Sequence, residues 1–208
     1  MEHPEPIVIL GMARTGTSMT SGIFHHHGVW VGKCNPPSDQ NPKGFFENKA
    51  VKKLLKKTYG IDLREIKEPI PGFRAEVEAI LNSEGYEGGP WLVKHSAVYY
   101  KAWNEFNPLF VKVRRPVEAT FESTRQLHVS RYTDEERKHI IDLHEKAMDS
   151  VPGPDVFTQD IVLGDYSSLK RAIEYCGLEY NEKIVEDFVD KKHWHHWKRN
   201  ADGTPARS

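Results

Sequence analysis

The amino-acid sequence predicts an α/β fold in which one parallel β-sheet lies between two layers of helices. Short, continuous apolar runs indicate strands that are buried on both faces. Segments of helical character separate those runs. A glycine-containing turn follows the first run directly and leads into a helix. Parallel strands joined by helical crossovers form a right-handed three-layer sandwich, whose ligands bind beyond the carboxyl ends of the strands.

The individual elements follow from local patterns. Apolar runs predict four strands, at 6–10, 91–93, 109–113 and 155–157. Helices are predicted at about 17–27, 98–106, 116–128, 134–150, 167–176 and 182–189. Pro116 suits a first helical turn, because proline lacks the N–H that such a turn leaves unpaired. Thr133 precedes acidic residues and is a typical N-cap, and Gly177 is a typical C-terminal stop.

The composition indicates a globular chain without strong affinity for polyanions. Of 208 residues, 38% are hydrophobic and 28% are charged, which suits one domain at 1–199 with a flexible tail at 200–208. The formal net charge of −1 argues against binding to nucleic acid or anionic membranes. The apolar runs are too short to span a bilayer and no signal peptide is evident. We therefore expect a cytoplasmic protein with Cys34 and Cys176 reduced.

The segment from Gly11 to Ser18 has the context of a phosphate-binding P-loop, since it follows a strand and opens a helix. Glycines allow the backbone to curl around an anion, and the helix N-terminus adds partial positive charge. The Walker A pattern, G-x4-G-K-[ST], is matched except that Thr17 replaces the lysine. That lysine contacts the β- and γ-phosphates of ATP, so its absence counts against a kinase. Arg14 supplies a cation three residues earlier.

The run Arg14-Thr15-Gly16-Thr17-Ser18 resembles the 5′-phosphosulfate loop of the sulfotransferases, [KR]-[ST]-G-T-[ST]. The resemblance implies a P-loop NTPase-like sandwich and transfer of a sulfuryl group from 3′-phosphoadenosine 5′-phosphosulfate (PAPS) to a hydroxyl or amine. The product would be 3′-phosphoadenosine 5′-phosphate. The resemblance also implies that Arg14 neutralises the transferring group and that Thr15, Gly16, Thr17 and Ser18 bind the 5′-phosphate. No metal is expected, because cationic side chains can stabilise the charge.

A second resemblance concerns the 3′-phosphate of PAPS. Sulfotransferases bind it with an arginine at a strand end, usually in R-x-P, and a serine eight residues later. The position of Pro116 favours Arg114 as that arginine, and we expect Ser123 to be the serine. Arg114 and Ser123 do not have this spacing. The eighth residue after Arg114 is Glu122, and Ser123 is the eighth after Arg115. Whether Ser123 or Glu122 faces the phosphate stays open from sequence.

Two segments offer a base for the acceptor. Residues 41–48 resemble the N-P-[KR]-G-[FY]-[FW]-E segment of bacterial sulfotransferases, which implies that Glu47 lies near the acceptor hydroxyl and can take its proton. The alternative is that Glu47 is a first-turn residue stabilised by the dipole of a helix from about Asn48. Trp91 to Ser96 resembles the W-x-x-K-D-P-R segment of bacterial enzymes and the K-x-H of animal ones, with departures. Lys94 would stabilise sulfuryl oxygens, and His95 is the other candidate base.

The resemblance continues toward the C-terminus, where 157–162 and 169–178 resemble the Y-E-D-L and L-x-x-[FY]-L-G-L segments. The late R-K-G-x-x-G-x-W-K motif of animal enzymes is absent. Two other functions stay open: a nucleotide or small-molecule kinase, and a non-catalytic relative that binds a nucleotide or an anion. The acceptor could be a small molecule, a glycan or a lipid, and the sequence leaves the oligomeric state open.

Overall fold

The computed structural model describes residues 4–38, 41–125 and 132–190. Its four strands are β1 at Ile7–Leu10, β2 at Leu92–His95, β3 at Leu109–Arg114 and β4 at Asp155–Phe157. They form one parallel sheet in the order β2–β1–β3–β4. The predicted parallel sheet is therefore confirmed, with strand ends within two residues of those predicted.

Eight α-helices and one 3-10 helix occur in the part of the chain that the structure describes. They are α1 Thr17–His26, α2 Lys49–Tyr59, α3 Phe73–Ser83, the 3-10 helix Ala97–Phe106, α4 Val117–Arg125, α5 Asp134–Asp149, α6 Thr158–Leu163, α7 Ser167–Tyr175 and α8 Glu182–Phe188. None of the described helices is long and apolar enough to cross a membrane. The predicted end of α4 at 126–128 and the predicted tail at 200–208 lie outside the described residues.

The helix predictions were accurate where caps and periodicity agreed. Helices α1, α5, α7 and α8 end within one residue of the predicted bounds. At the start of α5, Thr133 forms a capping box with Glu136. Helices α3 and α6 were not predicted. Helix α3 nevertheless buries Phe73, Val77 and Leu81 at the four-residue spacing of one helical face.

The two largest hydrophobic clusters of the described residues, one on each face of the sheet, confirm the three-layer sandwich. Alternate residues of a strand point to opposite faces. Val8 and Leu10 of β1 thus belong to the core beneath α2, α3, the 3-10 helix and α5. Ile7 and Ile9 belong to the core beneath α1, α6, α7 and α8. Strand β1 is covered on both faces, which explains its continuous apolar sequence.

The register of the sheet brings three strand ends to one edge. Leu10 pairs with His95 of β2 on one side and with Lys112 of β3 on the other. Because all three strands run in parallel, the chain segments that follow them leave the sheet at the same edge. These are the loop at 11–16, Ser96 and Arg115, and this edge is where open parallel sheets bind ligands.

We predict that the core beneath α3 is a main source of stability. Leu81 is fully buried, so Leu81→Ala leaves a cavity and should lower the free energy of unfolding by about 2–5 kcal/mol. The matched control is Asn82→Ala, an exposed neighbour on the same helix, which should change it by less than about 0.5 kcal/mol. Urea unfolding followed by circular dichroism measures both. A small loss for Leu81→Ala would contradict the assignment of α3 to the core.

Candidate active site

The predicted phosphate loop at 11–16 is held in a curled conformation by its own backbone and by α6. Gly16 has φ +96°, and a Cβ added there would lie 2.7 Å from Thr158 Cγ2, so only glycine fits. The Thr158 hydroxyl lies 2.8 Å from the carbonyl oxygen of Thr15 and 3.0 Å from that of Arg114. This contact ties the loop to the end of β3. Helix α1 starts at Gly16 without a capping side chain, which leaves its first turn suited to an anion.

Residues of the predicted phosphate-binding run fall into two groups. Arg14, Gly16, Thr17 and Ser18 line a cavity at the strand ends, as a ligand-binding loop requires. Thr15 is buried beneath the loop, where its hydroxyl donates to the Met12 carbonyl at 2.8 Å and its N–H lies 3.3 Å from the same oxygen. Thr15 therefore stabilises the loop from inside.

Two arginines stand close together above the loop. The Arg115 guanidinium donates to the Arg14 carbonyl oxygen at 2.8 Å, and Arg14 Nε donates to Ser123 Oγ at 3.3 Å. Burial, and to a lesser extent the neighbouring charge of Arg14, lowers the pKa of Arg115 to about 10. Both arginines line the cavity of the loop. Two cations held close together are stabilised by an anion between or beside them, so this arrangement favours an anionic ligand.

Arg114 lies away from this cavity. Its guanidinium forms ion pairs with Asp155 and Asp149 at 2.7 and 2.6 Å and with Glu145. Burial by itself would lower the pKa of Arg114, but hydrogen bonds to these three carboxylates raise it overall. Consecutive residues at a strand end point to opposite sides, so Arg114 and Arg115 cannot both face the loop. The cavity receives Arg115, where the sequence analysis expected Arg114.

Ser123 and Glu122 are adjacent in α4 but lie in different surroundings. Ser123 is 2% exposed and contacts Arg14, whereas the Glu122 side chain is 53% exposed and faces Arg125 of its own helix. The buried residue of the two, Ser123, is thus the one that lies eight residues after Arg115.

Glu47 and Lys94 form a buried ion pair next to the loop. Glu47 Oε1 lies 3.0 Å from Lys94 Nζ, and the same Nζ donates to Ser18 Oγ at 2.9 Å. Lys52 contacts the other carboxylate oxygen. Burial raises the pKa of Glu47, but the two lysines outweigh it and lower the pKa overall. Burial lowers the pKa of Lys94, with Glu47 opposing that shift.

Glu47 does not act as a first-turn residue of α2. The N-cap of that helix is Asn48, whose side-chain oxygen accepts from the N–H groups of Ala50 and Val51 at 3.0 Å each. The Glu47 carboxylate precedes the cap and bonds to lysines, so the helix dipole does not explain its presence.

His95 occupies a different environment. Its ring stacks on Trp103 with centroids 5.4 Å apart and meets Tyr99 edge-on. Its Nδ1 lies 2.9 Å from the Ser96 carbonyl oxygen. Burial lowers the pKa of His95 to about 4, against a smaller opposing effect of that hydrogen bond. His95 is thus held neutral at pH 7 against the aromatic core.

Two cavities meet at a shared wall made of Glu47, Lys52 and Lys94. The larger, of about 370 Å³, is the cavity of the phosphate loop. Its other lining residues are 13, 19, 41–45, Phe188 and Asp190. The smaller, of about 230 Å³, extends beneath α2 and includes His95. Glu47 and Lys94 therefore stand between the cavity of the loop at 11–16 and a second, mostly apolar one.

Several residues of the site were missed by the sequence analysis. Lys52 reaches Glu47 from the first turn of α2, and Lys43 donates to the Phe188 and Asp187 carbonyl oxygens at the end of α8. Glu47 and Lys52 are only five residues apart, but no sequence pattern marks their contact. Lys43 lies 144 and 145 residues from its two partners, and only the fold brings these segments together. The Arg115–Ser123 spacing was visible, although the proline pattern favoured Arg114.

The fold is that of the bacterial sulfotransferases. The chain superposes on the sulfotransferase domain of the Synechococcus PCC 7002 olefin synthase with a TM-score of 0.57 and 12% identity, covering 94% of this chain and 81% of that one. It superposes on the sulfotransferase STF1 of Mycobacterium tuberculosis with a TM-score of 0.61 and 14% identity, covering 93% and 77%. At such identities the likeness concerns the fold. No protein-family model and no curated protein sequence matches the chain.

We predict that Arg114 stabilises the fold. Arg114→Ala removes three ion pairs and leaves carboxylates clustered, so it should lower the free energy of unfolding by about 1–3 kcal/mol. The control is Arg125→Ala, whose contacts are exposed and at 3.8 Å or longer, with an expected change below about 0.5 kcal/mol. Chemical denaturation at pH 7 compares the two variants. Equal stability of both would contradict a structural role for Arg114.

Proposed function

We propose that this protein is a sulfotransferase that moves the sulfuryl group of PAPS to a hydroxyl or amine acceptor. One observation carries the proposal. The cavity of a phosphate-binding loop, with Arg14 and Arg115 on its wall, meets a buried Glu47–Lys94 pair on a sulfotransferase fold. An anion site beside a charged acid–base pair suits transfer of an anionic group.

The larger cavity would hold the donor. In this proposal the first-turn N–H groups of α1 and the hydroxyls of Thr17 and Ser18 bind the 5′-phosphate, and Arg14 balances the charge of the group in transfer. We assign the 3′-phosphate to Arg115 and Ser123, in place of the Arg114 expected from the sequence. The support is that Arg115 and Ser123 flank Arg14, while Arg114 is engaged by three carboxylates.

The Glu47–Lys94 pair would serve the acceptor. As the acceptor oxygen bonds to sulfur and the bond from sulfur to the 5′-phosphate oxygen breaks, the acceptor proton passes to the Glu47 carboxylate. Lys94, bonded to both Ser18 and Glu47, is suited to stabilise sulfuryl oxygens. We favour Glu47 over His95 as the base because Glu47 lines both cavities, while His95 lines only the smaller one.

Binding of the bisphosphate product tests the donor class. Calorimetry should show 3′-phosphoadenosine 5′-phosphate binding more tightly than AMP or ATP–Mg²⁺. Arg115→Ala should lower the affinity for the bisphosphate by about 10–100-fold, as expected for the loss of a charged hydrogen bond. Its affinity for AMP should stay nearly unchanged. Arg114→Ala, one residue away, is the matched control and should retain wild-type affinity below its unfolding temperature.

Two outcomes of that titration would contradict the proposal. Preference for ATP–Mg²⁺ over the bisphosphate would indicate a kinase instead. A loss of bisphosphate affinity confined to Arg114→Ala would return the 3′-phosphate role to Arg114.

The slow transfer of sulfate from PAPS to water tests the base without a known acceptor. Glu47→Gln removes the proton acceptor and should slow this reaction by about 10²–10⁴-fold, with bisphosphate affinity within a few-fold of wild type. The wild-type rate should fall only in acid, where Glu47 becomes protonated, since the lysines lower its pKa. His95→Gln is the comparison variant and should be much less affected. A larger loss in His95→Gln would make His95 the base.

A further inference from the structure

The smaller cavity is lined by both apolar and polar side chains. Its apolar lining includes Val51, Leu55, Leu63 and Tyr99, and it opens onto Glu47 at the wall shared with the larger cavity. Its volume of about 230 Å³ is below the roughly 300–1,000 Å³ of drug-sized ligand sites, so it suits a group no larger than a single ring. Ser96 and His95, which follow each other at the end of β2, also line it.

The Ser96 hydroxyl is bound to a buried histidine that lies outside the cavity lining. Ser96 Oγ is 2.6 Å from His144 Nε2, and His144 is fully buried in α5. His144 Nδ1 lies 2.7 Å from the carbonyl oxygen of Ile140. A carbonyl oxygen only accepts hydrogen bonds, so Nδ1 carries the proton. Burial lowers the pKa of His144 to about 4, which keeps the ring neutral at pH 7 and leaves Nε2 with a lone pair.

The direction of the Ser96–His144 hydrogen bond follows from that tautomer. Nε2 can only accept, so Ser96 must donate its single proton to it. The Ser96 oxygen then keeps only lone pairs for any further partner. The hydroxyl, which would otherwise rotate between donating and accepting, becomes a fixed acceptor in the cavity lining.

The tautomer of the neighbouring His95 follows from its hydrogen bond in the same way. Its Nδ1 lies 2.9 Å from the Ser96 carbonyl oxygen and therefore carries the proton, which makes Nε2 an acceptor. Among the described residues, this buried Nε2 has no hydrogen-bond partner. Because this Nε2 is buried, the acceptors that the lining offers to a bound molecule are the Ser96 oxygen and the Glu47 carboxylate. The lysines of the shared wall, Lys52 and Lys94, are already engaged by Glu47.

We propose that the smaller cavity binds the acceptor as a compact apolar body with two hydrogen-bond donors. One is the reacting hydroxyl or amine beside Glu47, and the other is a hydroxyl or N–H accepted by Ser96 Oγ. Ser96 is then a specificity-determining residue, and His144 is a positioning residue that fixes the polarity of Ser96. This inference rests on the proposed function, since it assigns the smaller cavity to the acceptor.

Matched single-ring probes test the polarity of the cavity. The protein is saturated with 3′-phosphoadenosine 5′-phosphate and titrated with phenol, the three benzenediols and their monomethyl ethers. At least one benzenediol should bind about 3–10-fold more tightly than phenol, as expected for one added hydrogen bond. Its monomethyl ether, whose second oxygen can only accept, should lose that advantage. Binding of none of the probes, or no preference for any diol, overturns the proposal.

Variants of Ser96 and His144 separate recognition from a structural role. Ser96→Ala should reduce the diol-to-phenol ratio to about 1, and Ser96→Thr should restore it. Ser96→Ala alone leaves His144 unpaired in the core and so lowers the stability of the fold. The double variant Ser96→Ala with His144→Met removes the unpaired group and is tested beside it. His144→Met alone frees the Ser96 proton, so the monomethyl ether should gain affinity relative to the diol. A diol preference that persists in Ser96→Ala overturns the role of Ser96, and an unchanged ether-to-diol ratio in His144→Met overturns that of His144.

The bisphosphate titration keeps this inference distinct from the proposed function. All four variants should bind 3′-phosphoadenosine 5′-phosphate with wild-type affinity, because neither residue lines the larger cavity. If the wild-type protein does not bind the bisphosphate, the proposed function fails and this inference with it. If it binds the bisphosphate but shows no diol preference, only the inference fails.

Discussion

The candidate site depends on the parallel alignment of β1, β2 and β3. With β1 in the middle, the phosphate loop at 11–16, the Lys94–Ser96 segment and Arg115 all leave the sheet at one edge. No one of these segments would make a site by itself, since a glycine turn at a helix N-terminus also occurs without a ligand. Their convergence places cations from three separate parts of the chain around one cavity.

Side-chain alternation at the end of β3 then places two adjacent arginines in different surroundings. Arg114 faces three carboxylates from α5 and β4, whereas Arg115 faces Arg14 and the cavity. The two guanidinium groups are chemically identical, so their different environments decide their roles. Three carboxylates pair with the first, while the second donates to the Arg14 carbonyl oxygen and stands beside the charge of that residue.

A similar division governs the two candidate bases. Glu47 is charged and bonded to two lysines at the meeting point of the cavities, while His95 is neutral and stacked on Trp103. Burial acts on both groups, but only Glu47 has opposite charges close enough to outweigh it. The buried His144 is also neutral, like His95. Its single ring proton sets the direction of the hydrogen bond from Ser96.

Local patterns in the sequence were sufficient to predict the α/β class, the four strands, the glycine turn between β1 and α1 and most capped helices, because each depends on a few neighbouring residues. Helices α3 and α6 were not predicted, because neither begins with a capping side chain, although the four-residue apolar spacing of α3 was present in the sequence. Only the tertiary structure decided the different surroundings of Arg114 and Arg115, the contacts of Lys43 and the contact between His144 and Ser96. Each of these is a matter of which way a side chain points and what the fold brings against it, and residue spacing along the chain does not carry that information.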